Sequence, residues 1–448
     1  MTASTTSFWQ TQAGPCPANP ALANELDVDV AIIGGGFTGL STAYHLKECE
    51  PSLKVAVLES EIVAHGASGR NAGFVMTLFG VDLGYTKMIY GAERTKQAHH
   101  YMERAVDLVG EIVHQHDIAC DYELTGFLRV ATTPAYERRV KGEIELATRL
   151  GLTGIEWLDK TALDGEVRSP TYLGARWERR CALVNPLKLA RGLKRVVEEL
   201  GVQIFEHTPM VELRRGSGGV LVKTPAGQLR AQKVVLATNA YSVLIPKLGR
   251  KQIPVFTHIV VTEPLTPAQL EQIGWQHRQG IEDARNFVHY YRLTPDRRLL
   301  MGGNLVTVGY GKKMTLDDSP RAFAQLERDI TEIFPCLAGH PIAARWGGPA
   351  SVTLDLAPVI GHLGDERIVY SLGCLGHGVS LTHLNGKTIA EILLERKTEL
   401  TDMFFVDRKV VSWPPEPLRF LVGRTIVGLA RLEDWWHETG AVRAPAGD

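Results

Sequence analysis

The chain has 448 residues and a mass of 49.3 kDa, so it is too long for one ordinary domain. Apolar residues make up 44% of it and charged residues 22%, which excludes global disorder. The 49 Lys and Arg residues are balanced by 50 Asp and Glu residues, which argues against nucleic-acid binding. The chain contains 44 glycines among its 448 residues, a larger share than the ~7% that is usual in proteins. This excess requires an explanation.

The N-terminus has no basic segment, and the chain has no apolar run of about 18 residues. A soluble, cytoplasmic protein is therefore expected. The six cysteines lie far apart without a C-x-x-C pair, a pattern typical of reduced thiols rather than of a metal site. We expect no metal centre.

The predicted elements begin after an aperiodic N-terminal arm, residues 1–27. Residues 28–33 and 55–58 are predicted as buried parallel strands, and residues 38–46 as the helix between them, which makes a β-α-β unit. Further predicted elements follow: helices over 92–117 and 187–200, a strand over 202–205, a hairpin with strands at 211–213 and 220–222, and a buried strand over 233–237.

From residue 252 to 305 the pattern becomes that of an antiparallel sheet, and a glycine-rich loop and a helix over 382–394 follow. We predict an α/β fold, α+β overall, in which a Rossmann-like nucleotide-binding domain carries an inserted antiparallel-sheet substrate domain and a C-terminal helix. The predicted boundaries are 1–27 for the arm, 28–90, 160–240 and 345–412 for the nucleotide-binding domain, 91–159 and 241–344 for the substrate domain, and 413–448 for the C-terminal helix and tail.

The C-terminal segment, residues 414–437, has the spacing of a helix with one apolar face. Docking of that face against the protein's own core is the favoured interpretation. The arginines and the Trp435-Trp436 pair would also suit a helix lying in a membrane surface. The apolar face comprises Leu418, Leu421, Val422, Ile426 and Leu429, with Arg424 and Arg431 elsewhere.

A glycine motif, G-x-G-x-x-G, lies between the first strand and the first helix, with its glycines at Gly34, Gly36 and Gly39. These glycines permit a tight turn, close approach of a pyrophosphate and close packing of helix on strand, while the helix N-terminus offers free N–H groups. Glu59, 25 residues past Gly34, is placed to accept hydrogen bonds from an adenosine ribose, which disfavours NADP. The motif fits NAD and FAD equally.

Two further glycine clusters favour FAD. Residues 66–74 follow the Glu59 strand and offer small side chains beside which a planar ring could lie, and residues 373–379 precede a helix near the far end of the chain. A helix N-terminus there could stabilise the negative charge that the reduced flavin carries at N1 and O2.

Eight sequence blocks in order resemble the FAD-dependent D-amino-acid oxidase superfamily, and within it the gamma-glutamylputrescine oxidases and their relatives. The resemblance covers nearly the whole chain. The blocks are DVAIIGGGFTGLSTAYHL, ESEIVAHGASGRNAGF, GVQIFEHTPMVEL, KVVLATNAYS, IPVFTHIVVTEPL, YYRLTPDRRLLMGG, WGGPASVTLDLAPVIG and GCLGHGVSLTHLNGKTIAEILL.

The resemblance implies FAD, bound non-covalently, and oxidation of a C–N bond in a small-molecule amine. Hydride passes from the carbon next to the amine to flavin N5, the imine hydrolyses, and dioxygen is reduced to hydrogen peroxide. His65 offers an alternative, covalent attachment of the flavin. The implied contacts are Gly34, Gly36, Phe37, Thr38, Gly39 and Glu59 for the nucleotide, Val211 for the adenine, Ser68, Arg70, Asn71, Ala72 and Gly73 beside the flavin, and Gly376, His377, Gly378 and Val379 at its pyrimidine edge.

The sequence departs from the family's W-x-G-x-R-P-x-T-x-D motif, because Ala350 stands where glycine-oxidase-like members carry an arginine that clamps the substrate carboxylate. A simple α-amino acid is therefore expected to be a poor substrate unless Arg70 or Arg292 replaces the clamp. The catalytic candidates are His258, as a base, a gate or a structural residue, Tyr290, which aligns with a substrate-contacting tyrosine, and the adjoining Tyr291 and Arg292.

Three alternatives stay open. One is an oxidase of the glycine, sarcosine or D-amino-acid type. Another is a membrane-linked amine dehydrogenase that passes electrons to a quinone or carrier, and a remote one is a non-catalytic nucleotide-binding protein. The sequence does not specify the oligomeric state.

Overall fold

The computed structural model describes residues 5–443. Residues 1–4 and 444–448, the ends of the predicted arm and tail, lie outside the described residues. The helices are α1 (Phe8–Ala13), α2 (Phe37–Cys49), α3 (Leu83–Tyr90), α4 (Ala92–Gln115), α5 (Pro134–Arg149), α6 (Lys160–Glu166), α7 (Pro186–Glu199), α8 (Pro267–Ile273), α9 (Pro320–Ile333), α10 (Gly378–Leu393) and α11 (Leu418–Arg443). The strands are β1 (Glu25–Ile33), β2 (Val55–Leu58), β3 (Phe74–Val75), β4 (Phe127–Ala131), β5 (Ile155–Asp159), β6 (Gly174–Glu178), β7 (Ala182–Leu183), β8 (Gln203–Phe205), β9 (Glu212–Gly216), β10 (Gly219–Lys223), β11 (Gln228–Leu236), β12 (Ile253–Thr262), β13 (Gly280–Asp283), β14 (His289–Leu293), β15 (Leu299–Gly303), β16 (Thr307–Val308), β17 (Ile342–Val352), β18 (Val359–His362) and β19 (Ile368–Leu372).

The first sheet has the strand order β18-β19-β11-β1-β2-β8, and the hairpin β9-β10 attaches to β11. β1 pairs in parallel with both β11 and β2, so the predicted β-α-β unit of β1, α2 and β2 is confirmed. Val30 and Ile32 belong to one hydrophobic cluster, whereas Ala31 and Ile33 belong to another. Because both faces of the strand are covered here, residues 30–33 of β1 form a continuous apolar run rather than an alternating one.

The second sheet has the order β16-β12-β15-β14-β13-β4-β6-β5, with β17 paired to β12. Its pairs are antiparallel except that β13 runs parallel to β4. The predicted combination of a Rossmann-like sheet and an antiparallel sheet is therefore confirmed.

Three elements lie across the predicted domain boundaries. β6 and most of β17 fall in ranges predicted for the nucleotide-binding domain, yet both pair within the second sheet. α4 was predicted in the substrate domain, yet its buried side chains, such as Met102 and Val109, join the core beneath the first sheet. We propose boundaries that follow the sheets, with β6 and β17 in the substrate domain and α4 in the nucleotide-binding domain.

The two faces of the second sheet have different neighbours. The inner face packs towards the first sheet, and its apolar residues Ile259, Val261, Leu300 and Trp346 join the first sheet's core. The outer face is covered by α9, and its residues Val260, Tyr291 and Met301 pack with Phe323 and Leu326 of that helix. Alternate residues of each strand thus belong to different cores.

The N-terminal arm is more ordered than its aperiodic sequence predicts. Ser7 caps the six-residue helix α1, in which Phe8 and Trp9 are buried. Trp9 Nε1 donates to Asn71 O at 2.7 Å, and Ser7 Oγ donates to Gly69 O at 2.9 Å. The arm therefore packs over the second glycine cluster and holds its backbone.

The predicted C-terminal helix is present as α11, but the expectation that its apolar face docks on the core is wrong. Leu421 is 55% exposed and Leu429 63% exposed. The helix docks instead through Asp434, which accepts hydrogen bonds from Asn286 N at 2.8 Å and Phe287 N at 3.2 Å. The polar side of the helix therefore faces the protein, and these hydrogen bonds hold it there.

Within residues 5–443, no helix combines the length and the apolar character needed to cross a bilayer. In the same part of the chain, no group of three or more His, Cys, Asp or Glu side chains is arranged to hold a metal ion.

Candidate nucleotide and substrate site

The first glycine motif forms the tight turn between β1 and α2. Gly34 has a φ of +116°, and a Cβ there would lie 2.6 Å from Ala237 O. A Cβ on Gly39 would lie 2.0 Å from Gly34 O. Both positions therefore require glycine, because the surrounding backbone leaves no room for a side chain.

The N-terminus of α2 is open to an anion. Its N-cap residue Gly36 provides no side-chain cap, and Phe37 N–H donates to Ser68 Oγ at 2.9 Å. Glu59, at the end of β2, accepts a hydrogen bond from Gly35 N at 2.7 Å. Burial raises the pKa of Glu59, while hydrogen bonds from Gly35 and Glu61 oppose that rise. A carboxylate and a helix N-terminus thus lie on the two sides of one glycine turn, as a dinucleotide requires.

The second glycine cluster is held in shape by Asn71. Its Oδ1 accepts from Gly73 N at 2.8 Å, and its Nδ2 donates to Ala67 O at 3.0 Å. Gly73 has a φ of +81°, and a Cβ there would lie 2.1 Å from Val184 O and 2.8 Å from Arg292 Nη1. The segment that contains Ala72 and Gly73 therefore runs directly against the inner face of the second sheet.

Arg70, predicted beside the flavin or as a substitute clamp, is fully engaged within the protein. Its Nη2 forms an ion pair with Asp317 at 3.1 Å, and its Nε donates to Gly347 O at 2.6 Å. Nη1 donates to Thr5 O at 2.8 Å. The guanidinium joins the glycine cluster to β17 and the N-terminal arm, and this arrangement leaves no support for a carboxylate clamp at Arg70.

The third glycine cluster ends at the N-terminus of α10, which begins at Gly378 and continues through the buried Val379. Gly376 has a φ of +94°, and the N-cap residue His377 makes no side-chain capping bond. The Nδ1 atom of His377 is buried without a hydrogen-bond partner in the described residues. Burial lowers the pKa of His377 to about 4, so its imidazole is neutral near pH 7.

Tyr290 lies on the inner face of the second sheet. A Cβ on Gly302 would lie 2.5 Å from its ring, so this glycine makes room for the aromatic ring. Phe74, which follows the second glycine cluster, meets the ring edge-on with centroids 6.0 Å apart. Burial raises the pKa of Tyr290 to about 12, against a hydrogen bond with Thr257 that lowers it. The hydroxyl is therefore protonated at neutral pH and can donate a hydrogen bond.

Arg292 lies on the same face and is buried. Its Nη1 donates to Val184 O at 2.7 Å, Ala72 O at 3.3 Å and Gly73 O at 3.4 Å. Its Nε is buried without a partner among the described residues. Burial lowers the pKa of Arg292 to about 10, so the side chain keeps its charge near neutral pH.

His258 and Tyr291, two of the predicted catalytic residues, point away from this site. His258 Nε2 is 3.1 Å from Leu316 O, and its ring packs on Phe323 of α9. The Tyr291 hydroxyl is 2.7 Å from the Tyr172 hydroxyl within the outer core. Because successive strand residues alternate between faces, the predicted roles of His258 and Tyr291 beside the flavin do not fit the structure. The interpretation of His258 as a structural histidine fits it.

Ala350 lies on the inner face of β17, opposite Val255 of β12. On the same face, Trp346 Nε1 donates to Arg70 O at 2.7 Å, which fixes β17 against the second glycine cluster. The position therefore faces the site, as the motif predicts, but it presents a methyl group instead of a cation.

The inner face also carries a row of buried charged residues that the sequence did not predict. Strand pairing aligns Tyr290 with Glu282, Glu282 with Arg129, and Arg129 with Arg176. Arg129 Nη1 lies 3.4 Å from Glu282. Burial raises the pKa of Glu282 to about 7. The charged residues within these otherwise apolar strands, FLRVA, GARWE and GIED, could have indicated the row.

Two predicted contacts remain predictions. Val211 is 67% exposed and its N–H donates to Lys223 O at 2.8 Å, so this N–H is not available to an adenine. His65 Nε2 is buried without a hydrogen-bond partner among the described residues, and burial lowers the pKa of this imidazole. No contact with a flavin follows from these facts for either residue.

The chain matches known proteins along most of its length. A family model described as FAD dependent oxidoreductase (DAO) matches residues 29–392. The chain is 33% identical over 395 residues to the Gamma-glutamylputrescine oxidoreductase of Escherichia coli (strain K12), an alignment that covers 88% of this chain and 90% of that protein. It is 25% identical to the Glycine oxidase of Bacillus licheniformis, with 85% of this chain and 97% of that protein covered.

Solved structures support the same fold. Glycine oxidase from Geobacillus kaustophilus superposes with a TM-score of 0.72 at 21% identity, covering 86% of this chain and all 100% of that one. L-proline dehydrogenase from P. horikoshii superposes with a TM-score of 0.71 at 20% identity, covering 90% and 99%. With the family match over residues 29–392, these findings show that the chain belongs to the FAD dependent oxidoreductase (DAO) family and uses FAD as its cofactor.

Proposed function

We propose that the protein oxidises the C–N bond of a primary or secondary amine, and that its substrate is a long amine with a charged group at the far end, of the gamma-glutamylputrescine kind. The observation that carries this proposal is the inner face of the second sheet. There Ala350 leaves the position of the carboxylate clamp without a cation, while a row of buried charges begins beside Tyr290.

The residues of the nucleotide region fit FAD. The close approach at Gly34 and Gly39 and the uncapped N-terminus at Gly36 support a pyrophosphate at α2. The unpartnered Nδ1 of His377 supports a polar ligand at the start of α10. We propose that the FAD contacts are Gly34, Gly36, Phe37, Thr38, Gly39, Glu59, Ser68, Asn71, Ala72, Gly73, Gly376, His377, Gly378 and Val379.

The charged row supports a long substrate. Adjacent strands lie about 4.8 Å apart, so Glu282 stands about 5 Å from Tyr290 across the sheet and Arg129 about 10 Å. Arg129 lies 3.6 Å from Glu143 as well as 3.4 Å from Glu282, so the row presents both signs of charge. It suits a zwitterionic group remote from the oxidised carbon. The name of the relative from Escherichia coli, Gamma-glutamylputrescine oxidoreductase, supports an amine of this length.

Bound FAD supplies the hydride acceptor. The chain's own residues bind and orient the amine: the protonated Tyr290 hydroxyl can donate a hydrogen bond, and the rings of Tyr290 and Phe74 exclude water. The amine must be neutral to lose hydride, and burial against the rings of Tyr290 and Phe74 favours its neutral form. We expect the released imine to hydrolyse and dioxygen to be reduced to hydrogen peroxide.

The test uses the purified full-length chain with its flavin. Anaerobic addition of a gamma-glutamyl diamine should bleach the oxidised-flavin absorbance at lower concentration than the parent diamine, which lacks the remote carboxylate. Strong bleaching by simple D-amino acids, or equal bleaching by the two amines, would contradict the proposed substrate class.

Cofactor binding is tested separately with two helical glycines. In Gly39→Ala the new methyl group collides with Gly34 O, so flavin content should fall severely. The matched control is Gly142→Ala in α5, where nothing lies within 4 Å of the added Cβ. Acid precipitation reports the linkage, because non-covalent flavin stays in the supernatant.

A dehydrogenase that delivers electrons to a membrane acceptor is the second candidate, and the exposed apolar face of α11 favours it. Stoichiometric hydrogen peroxide from the purified protein in air would exclude this candidate. Reduced flavin that persists in air would support it.

A further inference from the structure

The outward side of α11 is apolar along most of its length. Half of the large apolar side chains exposed in residues 5–439 lie on this one helix, and Trp436 is 68% exposed. Spacings of three, four and seven residues place them on one side of the helix. We call this side the apolar stripe; it comprises Leu418, Leu421, Leu429, Leu432, Trp435 and Trp436.

Polar contacts on the opposite side fix the helix. Asp434 accepts from Asn286 N, Glu438 forms an ion pair with Arg285 at 2.5 Å, and Arg419 Nη1 donates to Gly249 O at 2.9 Å. A surface helix usually buries its apolar side and exposes its polar one. α11 does the reverse, so its orientation presents the apolar stripe to a partner outside the domain.

The charges beside the apolar stripe are unbalanced. The flanking cations are Arg321, Arg424 and Arg431, with Lys312 and Lys313 in the loop whose Tyr310 packs on Phe420 of α11. In residues 5–443 none of these cations forms an ion pair with a carboxylate. The helix's own Glu433 and Glu438 are paired with Arg139 and Arg285. A partner of this surface must therefore be apolar in the middle and anionic along one edge.

We propose that α11 binds the surface of an anionic lipid bilayer, with the apolar stripe among the acyl chains and the flanking cations against the headgroups. Paired tryptophans suit the boundary between headgroups and acyl chains, and cations on the polar side of such a helix are attracted to acidic lipids. The helix lies in the surface and does not cross it. This inference is independent of the amine chemistry.

A second copy of the chain is the competing occupant. If two copies met through antiparallel α11 helices, the Arg424 and Arg431 flank of one copy would face the same flank of the other. Like charges placed together in this way oppose association. Anionic headgroups remove the repulsion, and for this reason we assign the surface to lipid.

The experiment is vesicle flotation of the full-length, flavin-loaded protein. We expect flotation with vesicles of mixed phosphatidylglycerol and phosphatidylcholine, much weaker flotation with phosphatidylcholine alone, and release at high salt. The double variant Leu429→Gln with Leu432→Gln should bind at least about tenfold more weakly, because two large side chains no longer enter the acyl region. The matched control is Met88→Gln with Ile89→Gln in α3, two exposed apolar residues that lie outside the stripe.

The cationic edge is tested by Arg424→Gln, for which we expect about fivefold weaker binding to the anionic vesicles. Flavin content and the melting temperature verify that each variant is folded. Absence of flotation of the wild-type protein would overturn the proposal, as would equal losses in the stripe and control variants. A lipid-free dimer in light scattering that dissociates in the stripe variant would also overturn it and assign the stripe to a second copy.

Discussion

Neighbouring residues of one strand of the second sheet lie on opposite faces and have different surroundings. Tyr290 lies on the inner face beside Phe74, whereas Tyr291 lies on the outer face and bonds to Tyr172. Arg292, on the inner face, has a buried Nε without a partner in the described residues. His289, on the outer face, lies between Asp283 at 2.7 Å and Asp329 at 2.9 Å. At these two positions the fully paired polar group stabilises the fold, whereas the one without a partner is available to a ligand.

The paired outer face gives the largest predicted effect, a loss of stability at high pH. The carboxylates of Asp283 and Asp329 raise the pKa of His289 from 6.5 to about 9, against burial and the nearby Arg285, which lower it. A raised folded-state pKa contributes stability that is fully present below pH 6.5 and is lost as the pH rises through about 9. The contribution is at most about 3 kcal/mol.

Urea unfolding across this pH range measures the effect. His289→Gln should be less stable than the wild type below pH 6.5 and should show a flatter pH dependence. His114→Gln is the control, because this exposed histidine of α4 has no carboxylate partner within the described chain. A wild-type stability that is constant from pH 6.5 to 9 would contradict the role of the His289 pair.

The inner face gives the next prediction, a gain of activity. Ala350→Arg would place a cation at the position of the family's carboxylate clamp, where this chain has a methyl group. We expect kcat/KM on a short α-amino acid to rise about thirtyfold, which corresponds to about 2 kcal/mol. Steady-state kinetics on glycine, sarcosine and D-alanine measure it. Ala344→Arg, at a half-buried position further along β17, is the control, and equal gains in both variants would refute the clamp interpretation.

The nucleotide region was predictable because its signals are local. A buried strand over 55–58 follows from a continuous apolar run, and the turn into α2 follows from Gly34 and Gly39, where a side chain would collide with the backbone. The conformation of a turn depends on adjacent residues, so a turn can be predicted without knowledge of the rest of the fold.

The substrate region was less predictable because its signals are non-local. The row from Tyr290 through Glu282 to Arg129 depends on the pairing of β13 with β4, which are more than a hundred residues apart. The face on which His258 or Tyr291 lies depends on which side of the sheet meets the first domain. The apolar pattern of α11 likewise predicts an amphipathic helix but not the side that docks.

The third prediction compares the two tyrosines directly. Tyr290→Phe removes a hydroxyl that can donate to substrate, and we expect kcat/KM for the amine to fall about tenfold, or about 1.4 kcal/mol. Tyr291→Phe should leave the kinetics within about twofold of the wild type. It should lower the free energy of unfolding by about 1 kcal/mol, because the Tyr172 hydroxyl loses its partner. A large fall in kcat/KM for Tyr291→Phe with little change for Tyr290→Phe would contradict the placement of Tyr290 on the inner face and Tyr291 on the outer face.

The smallest expected effect is that of substituting His258. The two possible roles of this residue, a general base and a structural residue, predict different kinetics for the variant. A base would lose about a hundredfold or more in kcat on substitution, and its pKa would disappear from the pH profile. The structure places the imidazole against Phe323 with Nε2 next to Leu316 O, and burial lowers its pKa, so we expect it to be neutral and uninvolved. In His258→Gln the amide can still donate to Leu316 O. The pH profile of kcat should therefore be unshifted, and kcat should stay within about twofold of the wild type. A large fall in kcat with unchanged flavin content and melting temperature would instead show that His258 takes part in the reaction.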